Sequence, residues 1–213
     1  SIGPVEVSPE RMDLAEIQNN RFCLPDAEAA KAAEDYLDQK IAECDSVGGV
    51  VECVISGLPA GLGEPVFEKL DANLAKAILS IGAVKGFEIG DGFAATKACG
   101  SENNDEFRMD GDKIVKETNH AGGVLGGISD GSDVVFRAAF KPTPSIAKSQ
   151  ETVTKDGENI DLVIHGRHDP VVVPRAVVVV ESMAAITAMD MLLMSMTSRL
   201  DLIQMFFQVE NAD

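Results

Sequence analysis

The sequence is poor in aromatic residues, in histidine and in positive charge. Its 213 residues include no Trp, one Tyr and three His, and 18 Lys and Arg stand against 35 Asp and Glu, for a net charge of −17. This acidic balance argues against a general surface for nucleic acid or anionic membrane. An anionic ligand would require the few cations to be concentrated at one place. With 45% hydrophobic residues, the chain suits a single domain or lobe over residues 1–213.

Cysteine is also scarce, and its spacing matches no metal site. The four cysteines include no CxxC pair and no Cys/His spacing that suits zinc. We therefore expect no metal, and small buried thiols of the kind found in a reducing, cytoplasmic compartment. The first residues, SIGPVEV, contain no charged and apolar leader, so we expect no signal peptide and interpret this start as a cut inside a longer protein.

One hydrophobic run is long enough to be confused with a membrane span. As a helix, Ala176–Met196 would cross a bilayer of about 30 Å. It contains Glu181 and Asp190, however, and carboxylates at that depth are costly. The run therefore predicts a core helix and no membrane partner.

Two further segments repeat apolar residues at helical spacing. The first begins at Pro25 and Asp26, which suit the first turn of a helix, and the second follows Pro65. The apolar stripes are Ala30, Ala33, Leu37, Ile41 and Cys44 in the first segment, and Phe67, Leu70, Leu74, Ile78 and Ile81 in the second.

Strand-like segments alternate with these helices and follow them. GGVVECVISGL and AVKGFEIGDGF predict strands, and residues 99–131 predict a segment rich in loops. DVVFRAAF, SIAKSQETVT and IDLVIHG predict three strands of one antiparallel sheet. The order helix, strand, helix, several strands, helix predicts an α+β fold with helices packed on an antiparallel sheet.

A glycine-rich stretch, AGGVLGGISDG at 121–131, matches neither the dinucleotide nor the nucleotide-triphosphate loop. Glycines allow backbone N–H groups to approach a ligand closely, and they also allow positive φ in a tight turn. The sequence leaves both interpretations open. A second stretch, KPTPS, places Lys141, Thr143 and Ser145 on a path stiffened by two prolines. This set can hold a phosphate, although an ordinary strand-exit loop has the same composition.

A third stretch, GRHDP, follows the strand-like IDLVIHG and concentrates charge. Arg167 offers a planar fork for carboxylate or phosphate, and Asp169 could orient that fork or act as a base. A run of this kind is more often a surface salt bridge than a site. His165 and His168 lack the Ser or Cys partner of a nucleophilic triad. Taken together, the three stretches place polar groups at strand ends, as an anion pocket requires.

These motifs occur in the order and spacing seen in chorismate synthases. The chain resembles that family through GLGEPVFEKLDANLAKAILSIGAVKGFEIGDGF, GSENNDE, TNHAGGVLGGISDG, KPTPS and GRHDP…PRA. The similarity covers residues 2–194 and matches only the C-terminal part of such enzymes. The Gly-Glu-Ser-His-Gly opening and the arginine-rich front half of the family have no counterpart here. The resemblance implies the C-terminal part of a β/α/α/β layered fold.

The resemblance also implies a reaction. Chorismate synthases are carbon–oxygen lyases of the shikimate pathway, which leads to the aromatic amino acids. They remove phosphate and a ring proton from 5-enolpyruvylshikimate-3-phosphate by anti-1,4 elimination and release chorismate. The flavoprotein reaction requires reduced FMN without net redox change. The resemblance further implies an association with NADP, a homotetramer and a cytoplasmic location.

The family's site residues transfer to this sequence by motif. Backbone contacts to FMN are implied for Gly82, Ala83 and Gly126. Asp169 is implied as a proton acceptor or relay near the flavin, with His168 as a second catalytic group, and Arg167 as a bridge between flavin and substrate. The flavin phosphate and ribityl side are implied to lie on Lys141, Pro142, Thr143, Pro144 and Ser145.

Two other functions remain open at this point. The chain could be a non-catalytic folding and assembly core, or a generic phosphate-ligand binding domain. Without the front half of the family, we expect it to be inactive alone, to bind FMN weakly and to associate with copies of itself through exposed apolar surface.

Overall fold

The structure is a computed structural model that describes residues 1–166 and 168–208. The chain divides into two compact units. The first consists of residues 1–51, 82–85 and 139–179, and the second consists of residues 52–81, 86–138 and those from 180 onward. This division does not test the prediction of a single domain or lobe over residues 1–213, which stays a prediction.

The first unit contains helix α1, Ala27–Ala42, preceded by two short 3-10 helices, Pro9–Arg11 and Leu14–Gln18. Asp26 caps α1, because its carboxylate accepts hydrogen bonds from the N–H groups of Glu28 and Ala29 at 3.0 and 3.1 Å. The predicted start of this helix is therefore confirmed. The buried apolar residues of this unit are Ile2, Phe22, Leu24, Ala29, Ala30, Ala33, Leu37, Val47, Val51, Val84, Phe140, Val173 and Ala176.

The predicted stripe of α1 and the predicted burial of the cysteines are only partly correct. Ile41 is exposed, and Cys44 follows the helix at a positive φ of 57°. Cys99 is also exposed, and Cys23 and Cys53 are half-buried, so the expectation of four buried thiols is wrong. A small side chain is compatible with a core position but does not require one.

Three strands form a sheet in the order β1-β7-β2, with β1 at Gly49–Ile55, β2 at Val84–Ile89 and β7 at Val134–Phe140. All three were predicted as strands. Every second residue of β7 is buried, beginning with Val134, as the period of two dictates for a strand with one apolar face. The pairing of β7 differs from the prediction, which placed it in one sheet with the strands that follow it.

Three antiparallel hairpins complete the set of strands. They pair β3, Phe107–Asp110, with β4, Lys113–Lys116; β5, Val124–Leu125, with β6, Ile128–Ser129; and β8, Gln150–Val153, with β9, Asn159–Leu162. The β8-β9 hairpin is a separate two-stranded sheet, which corrects the predicted single sheet after residue 133. Residues 99–131, which were predicted to be rich in loops, also contain the β3-β4 and β5-β6 hairpins.

Helix α2 of the second unit, Leu70–Leu79, begins later than predicted. Val66 has a φ of 74°, which is incompatible with a right-handed helix, and Phe67 is 86% exposed. Pro65 therefore belongs to a turn before the helix. The predicted stripe is confirmed from Leu70, Leu74 and Ile78, which are fully buried. The other buried apolar residues of this unit are Leu62, Val124, Val134, Phe136, Ala138, Val180, Ala184, Ala188 and Met191.

Helix α3, Val173–Met196, confirms the helix predicted over the long hydrophobic run, and a shorter helix, α4, follows at Leu200–Gln208. In the second unit, Val180, Ala184 and Met191 of α3 are buried, whereas Ile186 and Met189 are exposed. The prediction of a core helix thus holds for one side of α3 only. By length and composition alone α3 could cross a membrane, and only 22% of its most apolar window is buried. The helices and small antiparallel hairpins together are those of the predicted α+β class.

Candidate functional site

Two of the predicted flavin-binding segments meet in the first unit. Gly82 and Ala83 precede β2, and the segment Lys141–Ser145 leaves the end of β7. The Lys141 N–H donates a hydrogen bond to the Ala83 carbonyl at 2.9 Å. Ala83 has a φ of 70°, which is uncommon for a residue with a side chain. No heavy atom lies within 4 Å of the position that a Cβ on Gly82 would occupy. The backbone at 82–83 is therefore open to close approach.

In the KPTPS segment, hydrogen bonds from other residues fix the backbone, whereas the polar side chains remain available to bind a ligand. The Thr143 carbonyl accepts a hydrogen bond from the Ser46 hydroxyl at 2.6 Å, and the Pro144 carbonyl accepts one from the Gln150 amide at 3.0 Å. Within the part of the chain that the structure describes, the side chains of Lys141, Thr143 and Ser145 form no hydrogen bond or ion pair. One ammonium and two hydroxyl groups are thus free to bind an anion.

A segment that sequence reasoning missed, Ser46–Gly48, contacts two of the predicted site segments. Ser46 donates to Thr143, and the Val47 N–H donates to the Pro170 carbonyl at 2.8 Å. A Cβ on Gly48 would lie 2.3 Å from the Phe140 carbonyl oxygen, so only glycine fits. The Gly48-Gly49 pair in the sequence was the one local signal of this close backbone approach.

The predicted catalytic corner is held by contacts within the first unit. A ring nitrogen of His168, Nε2, lies 3.1 Å from the Ile164 carbonyl, to which it donates. The Asp169 carboxylate forms an ion pair with Arg175 Nη1 at 2.6 Å, and the Asp169 side chain is 37% exposed. Arg175 was not among the predicted site residues, although it lies in the quoted PRA motif. Arg167 lies outside the described residues, and the predicted bridge by its side chain stays a prediction.

The glycine-rich stretch forms the β5-β6 hairpin in the second unit. Leu125 pairs with Ile128, so Gly126 and Gly127 make a two-residue turn, with φ of 62° and 90°. Turns of this type require positive φ at both central positions, which favours glycine. The Gly127 carbonyl accepts a hydrogen bond from the Leu70 N–H at 2.8 Å. No heavy atom lies within 4 Å of a Cβ placed on Gly126, so its backbone can be approached closely.

These residues fit the flavin mononucleotide that the sequence motifs imply. In the first unit, the open backbone at Gly82 allows close contact with a flat ring system, and the free donors of Lys141, Thr143 and Ser145 suit a phosphate. In the second unit, Gly126 offers a similarly open backbone. In residues 1–166 and 168–208, no cluster of three or more His, Cys, Asp or Glu side chains could hold a metal ion.

Comparisons with known proteins agree with the motifs. A family model described as chorismate synthase matches residues 1–193. The chain is 62% identical over 208 residues to the chorismate synthase of Agathobacter rectalis and 59% identical over 209 residues to that of Lachnoclostridium phytofermentans. Each alignment covers 98% of this chain and 57% of the relative, so the chain spans little more than half the length of these proteins.

A solved relative supports the same assignment at the level of the fold. A crystal structure of chorismate synthase matches with a TM-score of 0.75 and 30% sequence identity, over 92% of this chain and 56% of that one. The fold, the family model and the identity to relatives from several bacteria lead to one conclusion: the chain belongs to the chorismate synthase family.

Proposed function

We propose that this chain supplies the flavin-binding part of a chorismate synthase site. In the proposed reaction, the C–O bond to phosphate of 5-enolpyruvylshikimate-3-phosphate breaks, a ring proton leaves, and chorismate and phosphate are released. The observation that carries the proposal is the hydrogen bond between Lys141 and Ala83, which brings an open backbone beside three uncommitted donor side chains.

The first unit would bind FMN with both backbone and side-chain groups. Gly82 and Ala83 contact the flavin through their backbone. Lys141 contributes a point charge to the phosphate, and Thr143 and Ser145 add hydroxyl donors on the ribityl side. Pro142 and Pro144 fix the path of that segment, which reduces the conformational entropy lost on binding. Gly126 is proposed as a further backbone contact to FMN.

Asp169 and His168 carry the acid–base part of the proposal. Asp169 accepts or relays the ring proton, and the Arg175 guanidinium 2.6 Å away fixes the direction of its carboxylate. His168 is oriented by its hydrogen bond to the Ile164 carbonyl. Arg167 is proposed to bridge flavin and substrate with its bidentate fork. The chemistry that reduced FMN supplies when bound is transient electron donation with no net redox change.

The net charge of −17 opposes the binding of an anionic substrate and of FMN to the chain alone. We therefore propose that the 213-residue chain is inactive without the rest of the family's length, which in the relatives is 43% of the protein. The cytoplasmic location, the homotetramer and the association with NADP belong to the same proposal, because each follows from the family alone.

The test uses a chimera in which this chain is joined to the remaining part of the Agathobacter rectalis relative, here called the chimera. We expect the chimera to bind FMN and to release chorismate and phosphate under reduced FMN. Lys141→Met should raise the dissociation constant for FMN by about 10-fold, since a charge-assisted hydrogen bond is lost. The control, Lys155→Met, removes an exposed lysine in the β8-β9 turn and should change nothing.

The outcomes separate the proposed function from its alternatives. If the chimera binds FMN but does not release chorismate, the chain is better interpreted as a phosphate-ligand binding domain. If the chimera folds but does not bind FMN, the chain is better interpreted as a non-catalytic folding and assembly core. An active 213-residue chain would contradict the need for the rest of the family's length.

A further inference from the structure

A buried lysine in the second unit has a carbonyl or carboxylate oxygen for each of its protons. Lys116, the last residue of β4, has a side chain that is 2% exposed. Its ammonium donates to Asp130 Oδ2 at 2.7 Å, to Asn119 Oδ1 at 3.0 Å and to Asp105 Oδ2 at 3.3 Å. An ammonium group has three donors and no acceptor, so this arrangement satisfies it completely. A buried charge that is paired in this way is costly to disturb.

Asp105 extends the network to the start of the glycine-rich stretch. Its two carboxylate oxygens accept hydrogen bonds from the N–H groups of His120 and Ala121 and from the Thr118 hydroxyl, in addition to Lys116. Burial, the largest single influence, raises the pKa of Asp105, but the hydrogen bonds outweigh it and hold the pKa well below its usual range. The carboxylate therefore stays charged and keeps its donors in place at neutral pH.

The same network reaches both ends of the β5-β6 hairpin. At the first end, Asn119 Oδ1 accepts from the Gly123 N–H at 2.8 Å while it also accepts from Lys116. At the second end, Asp130 accepts from Lys116, and its N–H donates to the Gly123 carbonyl at 3.1 Å. Lys116 thus joins the residues immediately before β5 to the residue immediately after β6.

We propose that Lys116 is a positioning residue that fixes the place of the Gly126 turn for the flavin. The proposal rests on the proposed function, because Gly126 is one of the backbone contacts to FMN in that function. The hairpin has only two residue pairs, and so short a ladder is marginal by itself. Its geometry therefore depends on contacts outside the ladder. The Leu70 N–H holds the Gly127 carbonyl, and Lys116 connects the two anchors at the base of the hairpin.

Lysine suits this role better than amino acids of similar charge or size, such as arginine and methionine. Three acceptors surround a single point, which matches the three protons of an ammonium group. A guanidinium is planar and cannot direct its donors in the same way, and a methionine would leave Asp105 and Asp130 charged and unpaired. Arginine should therefore fail to rescue the lysine despite its charge.

The first measurement is amide hydrogen exchange on the 213-residue chain. Lys116→Met removes the ammonium, and Asp130→Asn is a milder change that keeps one oxygen and is expected to fold. We expect the backbone amides of residues 123 and 130 to exchange at least about 10-fold faster in both variants, because local opening of the hairpin becomes easier. Amides of Leu74 and Ile78 in α2 report global opening, and in Asp130→Asn they should still exchange more slowly than the hairpin amides.

The second measurement is the dissociation constant for FMN in the chimera. We expect Asp130→Asn and Lys116→Arg to raise it by about 10-fold, a difference equal to about 1.4 kcal/mol. Lys155→Met serves as the matched control for loss of a lysine and should leave both measurements unchanged.

The results separate this proposal from the proposed function. If the unaltered chimera does not bind FMN, the proposed function fails, whatever the hairpin amides show. If it binds FMN and the variants bind equally well although the hairpin amides exchange faster, Lys116 does not position the turn for the flavin. Unchanged exchange at Gly123 in folded Lys116→Met would overturn the structural premise. Faster exchange together with weaker FMN binding supports the proposal.

Discussion

The hydroxyl of Ser46 donates a hydrogen bond of 2.6 Å to the backbone carbonyl of Thr143, a residue 97 positions later in the sequence. Val47, the next residue, donates to the Pro170 carbonyl at 2.8 Å. One short segment of the first unit therefore supports both the KPTPS segment and the residue that follows Asp169. The relative placement of the proposed phosphate-binding and acid–base groups depends on it.

Ser46→Ala should weaken FMN binding although Ser46 is not proposed to touch FMN. Loss of one intramolecular hydrogen bond costs about 1 kcal/mol, which would appear as a several-fold rise in the dissociation constant for FMN in the chimera. Ser46→Thr keeps the hydroxyl and should restore binding. Ser80→Ala is the control, because it removes a hydroxyl that donates locally to Ala77 in α2. Equal affinity in Ser46→Ala and the unaltered chimera would contradict the supporting role.

Asp169→Asn in the chimera should leave FMN binding largely intact and should reduce turnover by about 100-fold or more, the range for a positioned acid–base group. The amide can still accept a hydrogen bond from Arg175, so the local structure should persist. Turnover is measured as chorismate and phosphate release. Asp161→Asn removes an exposed carboxylate in β9 and serves as the control. Turnover at the unaltered rate would remove Asp169 from the mechanism.

The cysteines should differ strongly in their reactivity towards alkylating agents. Burial, with a smaller contribution from Glu181, raises the pKa of Cys53 to about 11, whereas Cys44 and Cys99 are exposed. Since the thiolate is the nucleophile, iodoacetamide at pH 8 should modify Cys53 at least about 100-fold more slowly than Cys44 or Cys99. Mass spectrometry of timed samples gives the three rates. Glu181→Gln should accelerate the modification of Cys53, and comparable rates at all three positions would refute the assignment.

Asp26 should make the free energy of unfolding of the chain depend on pH in the acidic range. Its side chain is 1% exposed, and the hydrogen bond from Arg11, followed by that from the Ala29 N–H, lowers its pKa from 3.8 to about 2. A lowered folded-state pKa contributes stability that is fully present above about pH 4 and is lost as the pH falls through about 2. Asp26→Asn should lower the urea midpoint at pH 7, and the difference from the unaltered chain should shrink towards pH 2. Asp156→Asn, at an exposed turn, should show neither effect.

The sequence predicted those features that are decided locally. The start of α1 was predictable because Pro25 and Asp26 act within one turn, and β7 was predictable because alternation is visible in seven residues. The sheet partners of β7 were not predictable, since pairing joins segments distant in the sequence. The start of α2 was missed because the positive φ of Val66 has no sequence signal.

The candidate site shows the same division between local and distant determinants. The motifs predicted site segments at 82–83, 141–145 and 168–169, each of which is continuous in the sequence. The contacts made by Ser46 and the network around Lys116 join side chains to distant partners or to several loops at once. No pattern in a single sequence marks such contacts, and no prediction was made from the glycine pair at 48–49.

The last prediction concerns the association of the 213-residue chain. In the second unit, α2 and α3 border an open groove of about 910 Å³, and the exposed side chains of Ile186, Met189 and Leu193 on α3 are apolar. Contiguous apolar surface of this kind tends to bind a partner, so we expect the isolated chain to form a homo-oligomer. Ile186→Lys with Met189→Lys should shift its mass by light scattering towards that of a monomer, because two added charges would have to be buried. Asp156→Lys changes an exposed charge in the β8-β9 turn, outside the groove, and is the control. A strictly monomeric chain, or an oligomer insensitive to the paired substitution, would show that α3 does not mediate association.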